Sequence, residues 1–502
     1  MLFRAIMDGK DRAAPALISG WERSLSYGEL ADATARMAHR LIALGVAPGD
    51  RIAVQTGKSA ETLILYLATL RISAAYLPLN TDYTPAEIAY FLGDAEPSLF
   101  VVDPAASESA GPLASEVGAT LATLGTDGKS GSLLDGLDTF PATFDDVPRG
   151  ADDLAVILYT SGTTGRSKGA MLSHGNLYSN AATLVDAWRF TADDELLHAL
   201  PVYHIHGLFV ATNVPLLAGA RIRLLPKFEP RAVLRGLETA TVMMGVPTFY
   251  TRLLADPRLD RDATKGMRLF VSGSAPLLAE THRAWEERTG HRVLERYGMS
   301  ETGMNTSNPY DGERRPGTVG PALSGVSVRV VDEASRAPLP AGEIGMIEVK
   351  GPNVFTGYWR MPEKTAAELK ADGWFVTGDL GQLSADSYLE IVGRGKDLVI
   401  TGGLNVYPKE VETEIDALEG VEESAVIGLP DADFGEAVTA VVVRTPGSTI
   451  GEAEIRAALA TRLARFKLPK TVIFVDALPR NTMGKVQKAA LREQAMMPQA
   501  AD

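Results

Sequence analysis

Residues 157–174 read ILYTSGTTGRSKGAMLSH: a run of apolar strand formers, then Thr160, Ser161, Gly162, Thr163, Thr164 and Gly165, then Lys168. Hydroxyls and backbone N–H groups on a glycine-rich loop, followed by a cation, are the groups that surround phosphate oxygens. The spacing is not that of a P-loop, which needs a glycine, four residues and then Gly-Lys-Ser/Thr opening a helix. Here Arg166 and Ser167 separate Gly165 from Lys168, and a glycine follows the lysine. The apolar pieces on either side predict two strands joined by the loop, with a helix beginning near Ser173. On composition alone, a ligand-free polar turn is the competing reading. The nearby GTDGKS at 125–130 does contain Gly-Lys-Ser, but Thr123 stands where the first Walker glycine belongs, so it reads as a surface turn.

Four further strings follow in order: GSAPL at 273–277, YGMSET at 297–302, TGDL at 377–380 with GRGKD at 393–397, and PRNTMGKV at 479–486. With YTSGTTGRSKG they resemble the motif set of the acyl-adenylate-forming superfamily, which holds acyl-CoA synthetases, adenylation domains and luciferases. The resemblance implies ATP as substrate, with the loop and Lys168 on its phosphates and Ser274, Ala275 and Pro276 beside the nucleotide. Tyr297, Gly298 and Met299 would complete its surround, Tyr297 against adenine, with Ser300 near the α-phosphate. Glu301 would hold Mg2+, a hard cation suited to carboxylate and phosphate oxygens. Superfamily members more often carry threonine where Ser300 stands; serine keeps the hydroxyl. Asp379 would accept both ribose hydroxyls, with Arg394 beside it. Taken alone, Asp379 reads as a turn-stabilising aspartate.

Lys485 resembles the superfamily's C-terminal catalytic lysine, which bridges the substrate carboxylate and the α-phosphate as negative charge builds there. Without its motif it reads as a solvated surface lysine. Its context also resembles one in which a lysine acetyltransferase acts on the catalytic lysine, which would remove its charge. Lys396 falls where the superfamily has a hinge. A small domain that presents Lys485 for adenylation and then swings would bring another face, around TGGLNVYP, over the path of an incoming thiol. RFKLPK at 465–470 fits either CoA phosphates or helix-dipole partners.

Within the superfamily the chain resembles malonyl-CoA synthetases, through LPVYHIHGLFV, MMGVPTFYTRLL, LERYGMSETGMNTSNPYDGERRPGTVG and ITGGLNVYPKEVE. A dicarboxylate imposes a physical demand, because its unreacted carboxylate stays charged inside a closed pocket, where an unpaired charge costs several kcal/mol. The resemblance assigns Arg252 and Arg296 to that carboxylate, and guanidinium forks suit the task. The pattern around Arg252 equally fits a solvent-facing arginine on an amphipathic helix, and Arg296 could pair with Glu295 at a surface. His206 would lie near the acyl group. On a strand, His204 and His206 would share one face and could suggest metal ligands, but no cysteine or third ligand motif accompanies them. Met244, Gly245, Met299 and Met304 would bound the pocket, although methionines at such spacing also serve as core filler.

The elements that must position these residues are those of an α/β protein. Residues 27–46 place Leu30, Ala33, Met37, Ala38 and Leu41 at helical spacing with Gly45 close behind. RIAVQT, SLFVVD, LAVILYT, RIRLLP, TVMMGVP and MRLFVSG are short strands, and they alternate with helical stretches such as YSNAATLVDAW and LLAETHRAWEERTG, the rhythm of mostly parallel sheets. From about Val326 strands follow one another without long helices, a β-rich subdomain. After GRGKD a small α+β unit begins. The predicted division is 1–395, a large AMP-binding (adenylation) domain, and 396–502, a mobile domain carrying Lys485.

The chain has 502 residues, enough for several folding units. Its net charge of -14 opposes non-specific binding to nucleic acid or anionic lipid, so any polyanion must be met by locally placed cations. Zero cysteines exclude disulfides, thiolate metal sites and cysteine nucleophiles. No apolar segment of signal-peptide length opens the chain, and the longest apolar tract, residues 60–79, contains Glu61 and Arg71. The expectation is a cytoplasmic enzyme with no nucleic-acid or membrane partner. It would join malonate to CoA through malonyl-AMP, releasing pyrophosphate and then AMP. The alternatives are methylmalonate or another short acid, whose discrimination rests on about 1–3 kcal/mol per methyl group, or a stand-alone adenylation domain that loads a carrier protein.

Overall fold

The computed structural model describes residues 2–21, 23–160, 167–401, 404–431, 434–463, 465–481 and 484–496, without the side chains of residues 396, 404 and 405. The six short apolar runs all form strands. Arg51–Gln55, Leu99–Val102 and Leu154–Thr160 enter a seven-stranded sheet, and Arg221–Leu224, Val242–Gly245 and Leu269–Ser272 enter an eight-stranded one. In the eight-stranded sheet the six central strands run parallel and only the two edges, Arg23–Ser26 and Gly303–Ser307, are antiparallel. The seven-stranded sheet is parallel from Leu154–Thr160 to Thr120–Thr123, with an antiparallel side formed by Lys168–Ser173 and Gly357–Tyr358. Parallel strands buried on both faces need near-continuous apolar sequence, which is what those runs supply.

The predicted first helix is Tyr27–Ala43. Ser26 caps it with Glu29 in a capping box, Leu30, Met37, Ala38 and Leu41 are buried, and Gly45 follows at φ 91°. Ala33 lies at the margin of the buried stripe, half-covered. The apolar tract 60–79 resolves into the helix Ala60–Arg71, buried on every side, and the strand Ala75–Pro78. Both of its charges are paired: Glu61 with Arg23, and Arg71 with Asp146 at 2.6 Å. Among the described residues no helix is long and apolar enough to cross a membrane. The GTDGKS segment is a turn in which the Asp127 carboxylate accepts from the backbone N–H groups of Lys129 and Ser130.

The chain forms two compact units, 1–327 with 349–375 and 328–348 with 376–502. The first holds the two large sheets around one continuous core that runs from Leu2 to Phe375. The second holds most of a four-stranded sheet, ordered Ser327–Val331, Gly345–Lys350, Phe375–Leu383, Leu389–Arg394, and a five-stranded sheet built on the long pair Val421–Asp431 and Gly435–Arg444. The helices Pro408–Asp416 and Glu452–Ala460 cover one side of that second sheet and share its core. Residues 328–348 and 376–395 of the β-rich segment fall in the same compact unit as the C-terminal residues, and residues 349–375 in the first.

Candidate active site

In the first unit the strands on either side of the glycine-rich segment pair with each other in antiparallel fashion. Leu154–Thr160 and Lys168–Ser173 pair with Thr160 opposite Lys168, and the helix His174–Ala187 starts directly after Ser173, its cap. Ser161, Gly162, Thr163, Thr164 and Gly165 lie outside the described residues. The two stems are fastened from outside. Tyr90 donates to the Ser167 carbonyl at 2.8 Å, and Tyr159 to the Asp94 carboxylate. Lys168 is 7 % exposed. Its Nζ lies 3.3 Å from the Tyr358 hydroxyl and 3.3 Å from each carboxylate oxygen of Glu368. The Tyr358 hydroxyl in turn lies 2.6 Å from Glu368 and 3.1 Å from Glu301 Oε1.

The second cluster stands at the ends of parallel strands. The strand Leu269–Ser272 runs into GSAPL, where Ser274 takes φ 73°, and the strand Leu294–Met299 carries Arg296, Tyr297, Gly298 and Met299. A Cβ at Gly273 would stand 2.4 Å from the Arg296 guanidinium carbon, so the glycine is what lets that group lie against the turn. Arg296 is 3 % exposed, and neither its Nε nor its Nη2 has a hydrogen-bond partner among the described residues. Burial lowers its pKa to about 9, with Tyr250 opposing the shift, so it remains cationic at neutral pH. Ser274 Oγ lies 3.3 Å from His206 Nδ1. His206 is fully buried, and burial first, then Arg296, His204 and His198, push its pKa well below the usual histidine range. Its Nε2 has no partner among the described residues. This cluster is one cation without a carboxylate partner among the described residues and one neutral imidazole, both buried and both with unused hydrogen-bonding atoms.

His204 and His206 do not share a strand face. Residues 206–210 form a wide helical turn, and the His206 N–H donates to His204 Nδ1 at 3.3 Å. Arg252 takes no part in the buried cluster. It is exposed on the helix Pro247–Leu254, whose Phe249, Tyr250 and Leu253 face inward.

Tyr297 is 8 % exposed, and Ala275, Met299 and Ser300 are half-buried, while Pro276 is exposed. The hairpin between the strands Leu294–Met299 and Gly303–Ser307 is pinched so tightly that a Cβ at Gly298 would meet the Gly303 carbonyl at 2.1 Å. Glu301 sits in this pinch, 5 % exposed. The Phe355 N–H donates to its carbonyl at 2.8 Å, and Asn353 and Asn180 hold the backbone on its C-terminal side, donating to Thr302 O at 2.7 Å and Met304 O at 2.9 Å. Mg2+ characteristically takes one or two carboxylates and completes its shell with water and substrate phosphates. Among the described residues no group of three or more His, Cys, Asp or Glu could hold an ion alone. A single fixed carboxylate such as Glu301 fits an ion that arrives with a nucleotide.

The second unit carries the remaining candidates. Asp379 and Arg394 face each other across neighbouring strands, Arg394 Nε 2.7 Å from Asp379 Oδ1, and the Asp379 N–H is held by Thr377 Oγ1 at 3.0 Å. Lys485 is exposed at a tight turn closed by two bonds with Asn481, each 2.9 Å, next to Gly484 at φ 74°. The Lys396 backbone lies in the short 3-10 turn Gly395–Asp397.

An AMP-binding enzyme profile matches residues 5–359, and the AMP-binding enzyme C-terminal domain matches residues 410–485. The chain belongs to the AMP-binding enzyme family. The crystal structure of ATP-bound MatB from Rhodopseudomonas palustris shares 61% sequence identity with it, covers 99% of each chain and superposes with a TM-score of 0.97. A feruloyl-CoA synthase of Amycolatopsis sp is 37% identical over 473 residues, 93% of this chain and 94% of that protein. A malonate–CoA ligase of Arabidopsis thaliana is 33% identical over 518 residues, 94% of this chain and 84% of that protein.

The motif reading of this family member missed Tyr358, Glu368, Asn180 and Asn353. Tyr358 is recruited because Gly357–Tyr358 adds to the edge of the loop hairpin, opposite Ala170 and Met171. Glu368 ends the next helix, Pro362–Glu368. The only available signal was an aromatic and an acid in GYWRMPEKTAAE, about 190 residues from Lys168, and periodicity carries no information across such a gap.

Proposed function

We propose that the protein is an acid–thiol ligase that converts malonate, ATP and CoA into malonyl-CoA, AMP and pyrophosphate. In the first step a malonate carboxylate oxygen attacks the α-phosphorus and pyrophosphate leaves, giving malonyl-AMP. In the second the CoA thiolate attacks the acyl carbon and AMP leaves. No enzyme nucleophile is needed, in keeping with a chain that has no cysteine.

The observation that carries the choice of acid is Arg296. A buried guanidinium with two nitrogens unpartnered among the described residues is stabilised by an anion that shares its pocket, and the non-reacting carboxylate of malonate supplies one. His206, neutral, bounds the same pocket without adding a second buried charge. Arg252 is the proposed outer cation for that carboxylate. Thr160 and residues 161–165, with Lys168, are proposed for the phosphates, Tyr297 for adenine, Ser300 and Lys485 for the α-phosphate, Asp379 with Arg394 for the ribose, and Glu301 for Mg2+. When bound, Mg2+ would neutralise charge on the leaving pyrophosphate. Glu301 is suited to fixing it because its own carbonyl and the backbone that follows are held by hydrogen bonds. Lys396 is the proposed pivot for the two steps, and a cytoplasmic location belongs to the same reading.

Exchange of labelled pyrophosphate into ATP tests the proposal, run with malonate, methylmalonate, propionate and ferulate in turn. Malonate should support the fastest exchange, and equal or faster exchange with propionate or ferulate would remove Arg296 as the selector. Lys485→Ala should abolish that exchange while supplied malonyl-AMP is still converted to thioester; equal loss of both halves refutes the division of labour. Exposure of Lys485 also suits modification by a lysine acetyltransferase, which intact mass measurement on the native protein would detect.

A further inference from the structure

Lys168 poses a problem of charge. Its ammonium is buried, and the loop it follows is proposed to take ATP phosphates, yet in the ligand-free protein the cation must be neutralised by something else. Glu368 does this, but loosely: both of its oxygens stand at 3.3 Å from Nζ. The same carboxylate has two shorter partners, the Tyr358 hydroxyl at 2.6 Å and the Lys364 ammonium at 2.7 Å. If Lys168 departs, Glu368 therefore keeps a cation and a donor, while Lys168 gives up bonds of 3.3 Å. Tyr358 also presents its ring face to the ammonium, 4.3 Å from the centroid, and reaches Glu301 at 3.1 Å. A phenol has one proton to donate, and the shorter bond assigns it to Glu368.

We propose that Glu368 and Tyr358 are positioning residues that hold Lys168 between turnovers and release it to the nucleotide phosphates, with Lys364 retaining Glu368 in the exchange. The idea rests on the hairpin being the phosphate site of an ATP-using ligase. Glu368 acts as a carboxylate competitor for the cation that phosphate needs. Its charge weakens nucleotide binding and speeds nucleotide release, an effect opposite to that of an ordinary structural residue.

Equilibrium binding of a non-hydrolysable α,β-methylene ATP with Mg2+, measured by calorimetry on the full chain, tests this. Glu368→Gln keeps an acceptor for Tyr358 and removes the charge, so binding should tighten by roughly fivefold, the scale of one partly exposed ion pair. Glu368→Asp should move back toward the parent. Lys364→Met, at a half-buried position, should leave Lys168 as the cation paired with Glu368 among the described residues and weaken binding by about two- to threefold. In a Lys168→Met background neither substitution should alter affinity. Unchanged or weaker binding in Glu368→Gln, with a parent-like melting temperature, overturns the proposal, as does an effect that persists without Lys168. Should Glu368→Gln fail to fold, the Lys364→Met result decides alone: tighter or unchanged binding overturns the proposal. Loss of malonate-dependent pyrophosphate exchange in the parent would instead count against the functional reading and leave these binding differences standing.

Discussion

Arg296 is held buried at a cost that no hydrogen bond to its Nε or Nη2 from the described residues offsets. Taking a charged group out of water without a partner costs several kcal/mol, and replacing such a group by an apolar one of similar length often stabilises a protein. Arg296→Met should therefore raise the melting temperature of the ligand-free enzyme by a few degrees. It should also erase the further rise that saturating malonate gives the parent, since a ligand stabilises only the state that binds it. Scanning fluorimetry with and without malonate reads both effects, and a destabilised variant would mean the guanidinium has a structural partner after all. Arg252 differs because it is exposed. Arg252→Ala should leave stability unchanged and raise the KM for malonate more than that for propionate, and an unchanged ratio would remove it from the pocket. The sequence identified Arg296 through its motif, while its alternative, a surface pair with Glu295, fails for a local reason: neighbours on a strand point to opposite faces, and both are buried here. The depth of burial was not readable from the sequence, because it depends on Gly273 and Tyr250 from other segments.

Elements place charges as well as carry them, and the helix Pro408–Asp416 ends on the wrong one. Asp416 is half-buried at the helix C-terminus, where the dipole disfavours an anion. Burial raises its pKa to about 6, with Glu412 and Glu423 adding to the shift and the 2.6 Å bond from Ser424 and nearby Lys409 opposing it. A carboxyl whose folded pKa exceeds its unfolded value, about 4, binds more protons in the folded state between those limits. Its contribution to stability is complete below pH 4 and is lost as pH rises through 6. The second unit should thus lose up to about 2 kcal/mol between pH 4 and 7 from this group. Asp416→Asn should remove that slope and be the more stable form at pH 7. Denaturant melts at pH 5 and 7 measure it, and parallel slopes in the two proteins would refute the assignment. The stretch YPKEVETEIDAL forms this helix. Its acid cluster stayed hidden because Glu423 arrives from the neighbouring strand, Val421–Asp431. Tyr358 and Glu368 stayed hidden for the same reason: local pattern finds elements, whereas what faces them is set by sheet order.

At the scale of the molecule, the chain passes between its two compact units three times, at 327/328, 348/349 and 375/376. The proposed pivot at Lys396 lies inside the second unit, so a swing there must part contacts within it. Among the described residues these contacts include Leu398 and Tyr407, which pack on a small cluster of Val331, Met346, Leu380 and Val392. By contrast the core around Val399, Ile415, Val426 and Val442 lies wholly beyond the pivot and can move as one body. Residues 395–397 form one 3-10 turn, closed by the Leu398 N–H on the Gly395 carbonyl at 3.2 Å. Proline at 396 fits such a turn, and by fixing φ it removes the freedom a pivot needs. Lys396→Pro should therefore keep malonate-dependent pyrophosphate exchange within about twofold of the parent while thioester formation from malonyl-AMP falls by roughly a hundredfold, as expected when a conformational step limits only one half of the cycle. Both rates can be followed on one preparation, by labelled pyrophosphate exchange and by rapid-quench release of AMP. Equal retention of the two would place the pivot elsewhere, and equal loss would mean the turn serves adenylation as well as the swing.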